Sequence, residues 1–124
     1  MKKLFISCPM EGRTEENIRA SREKMHRIAE IVFGEELEVI PSYVEDSPLH
    51  DTREAVWYLG RSIQFMSKAD YFIGLEFSDY WYGCEIERRV ASMYNIKRFL
   101  VDIRLIAPDA YENSEKTLNS VNPC

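Results

Sequence analysis

Four short apolar runs alternate with segments of helical spacing, and this alternation constrains the fold more than any other feature of the chain. "KLFIS" (residues 3–7), "LEVIP" (37–41), "DYFIGL" (70–75) and "KRFLVDI" (97–103) each read as a short strand. Between the first two, Thr14 is placed to cap a helix whose first turn carries Glu15 and Glu16. Its inward stripe would be Ile18, Met25, Ile28 and Val32, and Gly34 stands where it should stop. A second helix, capped by Asp51 or Thr52, would bury Val56, Leu59, Ile63 and Met66. A third, starting near Gly83, would turn Ile86, Val90 and Met93 inward. The order β-α-β-α-β-α-β implies an α/β fold: a small doubly wound, flavodoxin- or Rossmann-like parallel sheet of about four to five strands with flanking helices. Residues 1–106 form one domain on this reading. Residues 107–124, polar and containing Pro108 and Pro123, form a tail expected to be partly extended.

Charge narrows the partners. Sixteen basic against 21 acidic residues leave a net charge of −5, which argues against polymeric nucleic acid and anionic membranes as partners. A small anionic ligand remains compatible, because a local charge or a helix N-terminus can hold one. The apolar start is too short for a signal peptide and no run is long enough to span a membrane, so a cytoplasmic protein is expected. Cys8, Cys84 and Cys124 are odd in number and widely spaced. That pattern fits neither a disulfide framework nor a zinc site, and no metal or other cofactor is expected.

In a doubly wound sheet, ligands bind beyond the carboxyl ends of the strands, where the strand order reverses. Two loops should meet there: "SCPMEGR" after the first strand and "EFSDYWYG" after the third. In the first loop, built by Ser7, Pro9, Met10 and Gly12, a hydroxyl and the backbone N–H groups of the non-proline residues would face the ligand, and Arg13 would add a charge. A plain strand-to-helix turn with Arg13 in solvent is the equal alternative. In the second, Ser78, Asp79, Trp81, Tyr82 and Gly83 lead into the third helix. Trp81 or Tyr82 would line the pocket and stack on a base, with a subunit contact as the other use of such rings. Trp57 reads as packing, Asp70 as a structural acid at the amino end of its strand, and His26 as part of a solvated helix face. His50 is an acid/base candidate in the loop before the second helix. Cys8 lacks a basic partner and makes a poor nucleophile. Glu85 and Glu87 follow Gly83. Both suit the acid-rich start of a helix, and Glu87 is also placed to serve as an ionised carboxylate facing the crevice.

Three collinear stretches, "FISCPMEG", "SKADYFIGL" and "GCEIERRVASMYNIKRFLV", resemble the nucleoside 2-deoxyribosyltransferase-like superfamily, with closer similarity to its small phage and bacterial members. The likeness spans residues 3–102. The family spacing of a glycine, a glutamate four residues on and an alanine four further falls here on Gly83, Glu87 and Ala91. The resemblance implies that Glu87, rather than Glu85, is the nucleophile that attacks the anomeric carbon of a nucleoside or nucleoside 5′-monophosphate. The outcome would be 2-deoxyribosyl transfer or hydrolysis. It also implies a homo-oligomer, since relatives often complete the crevice with a neighbour's residues. Two positions depart from the family. Trp81 stands where transferases place an acid, and Ser62, beside Arg61, stands where an acid often precedes the third strand. A non-catalytic nucleotide-binding module and an oligomeric interaction protein are the alternatives those departures motivate.

Overall fold

The computed structural model describes residues 1–41, 52–77 and 80–111. In chain order the elements are β1 (Lys2–Ile6), α1 (Glu15–Phe33), β2 (Leu37–Val39), α2 (Glu54–Met66), β3 (Tyr71–Leu75), α3 (Tyr82–Met93), β4 (Lys97–Val101) and α4 (Ile103–Ile106). The strands form one parallel sheet in the order β2-β1-β3-β4. The chain winds outward from β1 to β2 in one direction and from β3 to β4 in the other. The fold is therefore the doubly wound α/β sheet that the alternation of elements predicts, with its switch point between β1 and β3.

Side-chain alternation along the strands divides the core in two. Leu4, Ile6, Ile73 and Leu75 pack with Met25 and Ala29 of α1 and with Ile106 of α4. Phe5 and Phe72 lie on the other face, their rings stacked at 5.8 Å, against Met66 of α2 and Ala91 of α3. Because both faces are covered, β3 is buried along its whole length and reads as a continuous apolar run.

The helix ends follow local chemistry. Thr14 accepts the N–H of Asn17 at 3.1 Å, as the sequence predicts. Gly34 closes α1 in the left-handed region, at φ 74°, and donates its N–H to Glu30. At the end of α3, Asn95 takes φ 56°. The Ile96 N–H then reaches the Ala91 carbonyl at 2.9 Å and the Asn95 N–H that of Ser92 at 3.3 Å, a Schellman closure that also brings Ile96 and Ala91 into one apolar cluster.

Several expectations about helix faces need correction. The buried face of α1 centres on Ser21, Met25 and Ala29, which leaves Val32 44% exposed. That of α3 is Cys84, Glu85, Glu87 and Ala91, so Ile86 and Met93 are turned outward. In both cases small residues let the helix approach the sheet, and a stripe drawn through the large apolar positions misses them. On α2, Met66 is buried but Val56 is exposed. The helix starts at Glu54, after Arg53, with no side-chain cap bond; Asp51 and His50 lie outside the described residues.

Beyond β4 the chain also differs from expectation. The strand stops at Val101, and Asp102 caps α4 by accepting the Arg104 N–H at 2.9 Å. Ala107 and Ala110, read as the start of a polar tail, are fully buried in the core, and the Tyr111 N–H bonds helically to Ala107. Residues 112–124 lie outside the described residues. No helix among the described residues is long and apolar enough to cross a membrane.

Candidate active site

The switch point places Ser7 at the carboxyl end of β1, where its N–H bonds to the Ile73 carbonyl of β3 at 2.8 Å. Gly74 follows on β3. A Cβ there would lie 2.6 Å from the Phe72 ring, too close for that ring to stay where it is, and in ordinary contact with the Ser7 Cβ at 3.5 Å. The chain after β3 enters α3, and Glu87, in its second turn, faces back toward Ser7.

Glu87 is 9% exposed and each carboxylate oxygen accepts a hydroxyl. Ser7 Oγ donates to Oε1 at 2.7 Å, and Ser62 Oγ, from α2, donates to Oε2 at 2.5 Å. Three elements thus hold one carboxylate. Burial pushes the Glu87 carboxyl above its ordinary value, opposed by the Ser62 and Ser7 hydroxyls and by the charge of Arg22. The start of a helix was expected to favour the ionised form. Glu87 lies past the first turn, where the dipole is felt most, and desolvation wins.

Glu87 opens on a cavity of about 150 Å³. Phe5, Ile40, Pro41 and Phe65 make its apolar wall. Cys8, Met10, Arg22, Tyr58 and Ser62 complete it with Ile6 and Glu87. Glu87 is the sole carboxylate among these lining residues. Among the described residues, no three His, Cys, Asp or Glu side chains gather as a group that would hold a metal ion.

The predicted first-loop residues divide between this cavity and the scaffold. Ser7 touches Glu87, Met10 lines the cavity and Pro9 is buried beside them. Gly12, at φ 73°, makes the turn closed by the bond from the Arg13 N–H to the Met10 carbonyl, and nothing lies within 4 Å of where its Cβ would be. Arg13 was expected to offer charge to a ligand or to lie in solvent, and it does neither. Its side chain is 1% exposed and bonded through every nitrogen. Nε and Nη2 clasp Asp109 at 2.8 and 2.9 Å, Nη1 donates to the Pro9 carbonyl, and Nη2 also reaches Ser21 and Asn17. Arg13 ties the first loop to α1 and to the segment after α4.

The second loop contributes less to the cavity than expected. Ser78 and Asp79 lie outside the described residues. Trp81 is a core residue, edge-on to Tyr80, with its indole N–H buried and without a hydrogen-bond partner among the described residues. Tyr82 is 63% exposed and borders a separate surface with Glu85, Ile86 and Arg89. Neither ring lines the cavity; Tyr58 and Phe65 of α2 and Phe5 of β1 do. Gly83 is exposed at the start of α3, with open space where its Cβ would be. Glu85 is occupied on its own helix by Arg88 at 2.6 Å and Arg89 at 2.8 Å.

Other residues also find their places. Asp70 accepts the Lys3 N–H at 2.8 Å, the structural role expected of it. His26 is half-buried rather than solvated, with Nε2 2.9 Å from the Leu37 carbonyl. Burial pushes the Cys8 thiol up and the Cys84 thiol further up, so neither is an activated thiolate.

The sequence reading did not single out Arg22, Tyr58 or Phe65 as site residues. Arg22 follows Ser21 in the middle of an amphipathic helix and has the look of a surface position. Only the strand order, which sets α1 beside the β1 carboxyl end, brings it to the cavity. Compared with protein-family models, curated proteins and solved structures, the chain matches none.

Proposed function

We propose that this protein is an N-glycosyl enzyme of the nucleoside 2-deoxyribosyltransferase-like kind, acting on a nucleoside or nucleoside 5′-monophosphate through Glu87. The observation that carries this reading is the Glu87 carboxylate itself: buried, on the cavity wall at the switch point, with one hydroxyl fixed on each oxygen. Each oxygen retains a second lone pair for reaction, while the two serines hold the plane of the group.

In the first displacement an ionised Glu87 oxygen bonds to C1′ of the sugar. The C1′–N bond breaks, its electron pair goes to the base, and the base takes a proton from solvent. In the second, a water oxygen or the nitrogen of another base bonds to C1′, the ester bond to Glu87 breaks, and the attacking group loses its proton. Two displacements replace one difficult step. The cavity is smaller than the ~300 Å³ at which sites for whole drug-sized ligands begin. It suits the sugar, with the base directed toward the exposed edge formed by Met10 and Tyr58. Chromatographic detection of released base from nucleosides and 5′-monophosphates, with and without an acceptor base, tests the reaction and separates transfer from hydrolysis.

A non-catalytic nucleotide-binding module is the second reading. It is favoured by one observation: among the described residues no second carboxylate lines the cavity, and Ser62 occupies the helix position where relatives often have an acid. Saturable nucleotide binding without base release would support it.

A further inference from the structure

We infer that Arg22 is the anion-binding residue of the Glu87 cavity, placed to take the phosphate of a ligand whose electron-poor carbon faces Glu87. The two arginines near the first loop are used in opposite ways. Arg13 has every nitrogen engaged by the protein. Arg22 reaches into the cavity wall from α1, and its one hydrogen bond among the described residues is a long one, 3.4 Å from Nη1 to the Ile6 carbonyl. A guanidinium has five N–H donors, so most of this group's capacity is unmet by the described residues. Burial works against its charge, and only the more distant Cys8 and Glu87 work for it. An oxyanion on the fork of the guanidinium completes its bonds and offsets the cost of its desolvation.

The arrangement also sets the polarity of the ligand. Arg22 and Glu87 line one cavity yet form no ion pair with each other, and Phe5, Ile40 and Phe65 give that cavity an apolar wall. A cation and an anion on the wall of one small, partly apolar cavity favour a molecule with its charges in the reverse order. The negative group belongs at Arg22, and the carbon that gains positive character belongs at Glu87. Anion binding follows from this geometry alone. That the anion is the 5′-phosphate of a nucleotide rests on the N-glycosyl reading.

Titration calorimetry with inorganic phosphate, a nucleoside 5′-monophosphate and its parent nucleoside tests the inference on wild type, Arg22→Gln and Arg22→Lys. Wild type is expected to bind phosphate, and to bind the monophosphate at least about tenfold more tightly than the nucleoside. Arg22→Gln should erase that difference, and Arg22→Lys should keep part of it, as a point charge without the fork. A second measurement needs no variant. Phosphate should protect Arg22 of the wild-type protein from an arginine-selective dicarbonyl, mapped by peptide mass spectrometry, with the fully engaged Arg13 as the internal reference. Equal binding of monophosphate and nucleoside by wild type, phosphate binding unchanged in Arg22→Gln, or labelling of Arg22 indifferent to phosphate would each overturn the assignment. Phosphate bound at Arg22 with no base released from any compound would leave it standing and overturn the N-glycosyl reading. Base release that treats nucleosides and monophosphates alike and ignores Arg22→Gln would do the reverse.

Discussion

Ser7 and Glu87 are 80 positions apart in the chain, and the switch point of the sheet brings them to 2.7 Å. One hydroxyl at the end of β1 thereby fixes one oxygen of a carboxylate on α3. Ser62 of α2 fixes the other. The chemistry proposed for the protein depends on this relationship, because both bonds favour the ionised carboxylate against the burial that opposes it.

Removing either hydroxyl should move the pH dependence of activity. Ser7→Ala and Ser62→Ala each delete a donor to the charged form, so the Glu87 carboxyl rises further. Activity that needs ionised Glu87 is lost as pH falls through that value, so the acid limb should shift to higher pH in either variant. A pH–rate profile of kcat/KM checks this. An acid limb that stays in place would mean that the hydroxyls do not govern the carboxylate.

Glu87 should be held at some expense to stability. Its folded value is raised, so between the ordinary and the raised value the folded state binds more protons than the unfolded one. Stability therefore falls as pH rises through that window. Glu87→Gln removes the ionisation. Its melting temperature is expected to equal or exceed that of wild type by a few degrees at neutral pH, where 1 kcal/mol is about 4 °C for a domain of this size. The gap should close as the pH falls to the ordinary carboxylate range. Thermal melts of the two proteins across pH give the comparison.

Arg13 and Asp109 should behave as a structural clamp. Arg13 is almost fully buried while Asp109 is about one-third exposed. Asp109→Ala strands the guanidinium among neutral partners and should destabilise the fold by about 2–3 kcal/mol, below the usual cost of breaking a fully buried pair. The bond from Arg13 holds the Asp109 carboxyl below its ordinary value. The pair's contribution is therefore present above the ordinary aspartate range and lost as pH falls through the lowered folded value. Denaturant unfolding of wild type and variant, at neutral and acidic pH, measures both.

Gly74→Ala should damage the site through the scaffold. The new Cβ would meet the Phe72 ring at 2.6 Å, and Phe72 stacks on Phe5 of the cavity wall. Overpacking of this kind costs about 1–3 kcal/mol. A loss of stability accompanied by weaker ligand binding is expected from combined melting and calorimetric measurements.

The fold was legible because each strand is a short apolar run and the helix ends carry explicit signals, such as Thr14 and Gly34. The faces of the helices were less legible. Ser21, Ala29, Cys84 and Ala91 define them by being small, and a stripe of large apolar residues points elsewhere. Within the site, Ser7 and Met10 could be placed from loop position in a doubly wound sheet, whereas Glu87 stood out from Glu85 only through the family spacing that begins at Gly83. Arg22 could not be placed, since a polar residue in mid-helix reads as surface until the neighbouring strand is known. Trp81 misled in the opposite sense: its ring, expected on the ligand, is core.

The central claim is that Glu87 performs a displacement at C1′, and base release by matched variants tests it most directly. Wild type, Glu87→Gln and Glu85→Gln would be incubated with the panel of nucleosides and 5′-monophosphates, each protein first shown to be folded by circular dichroism. Release by wild type and by Glu85→Gln, with a loss of about a thousandfold or more in Glu87→Gln, is the predicted result. Release that persists in a folded Glu87→Gln protein, or none from any compound with wild type, would contradict the account.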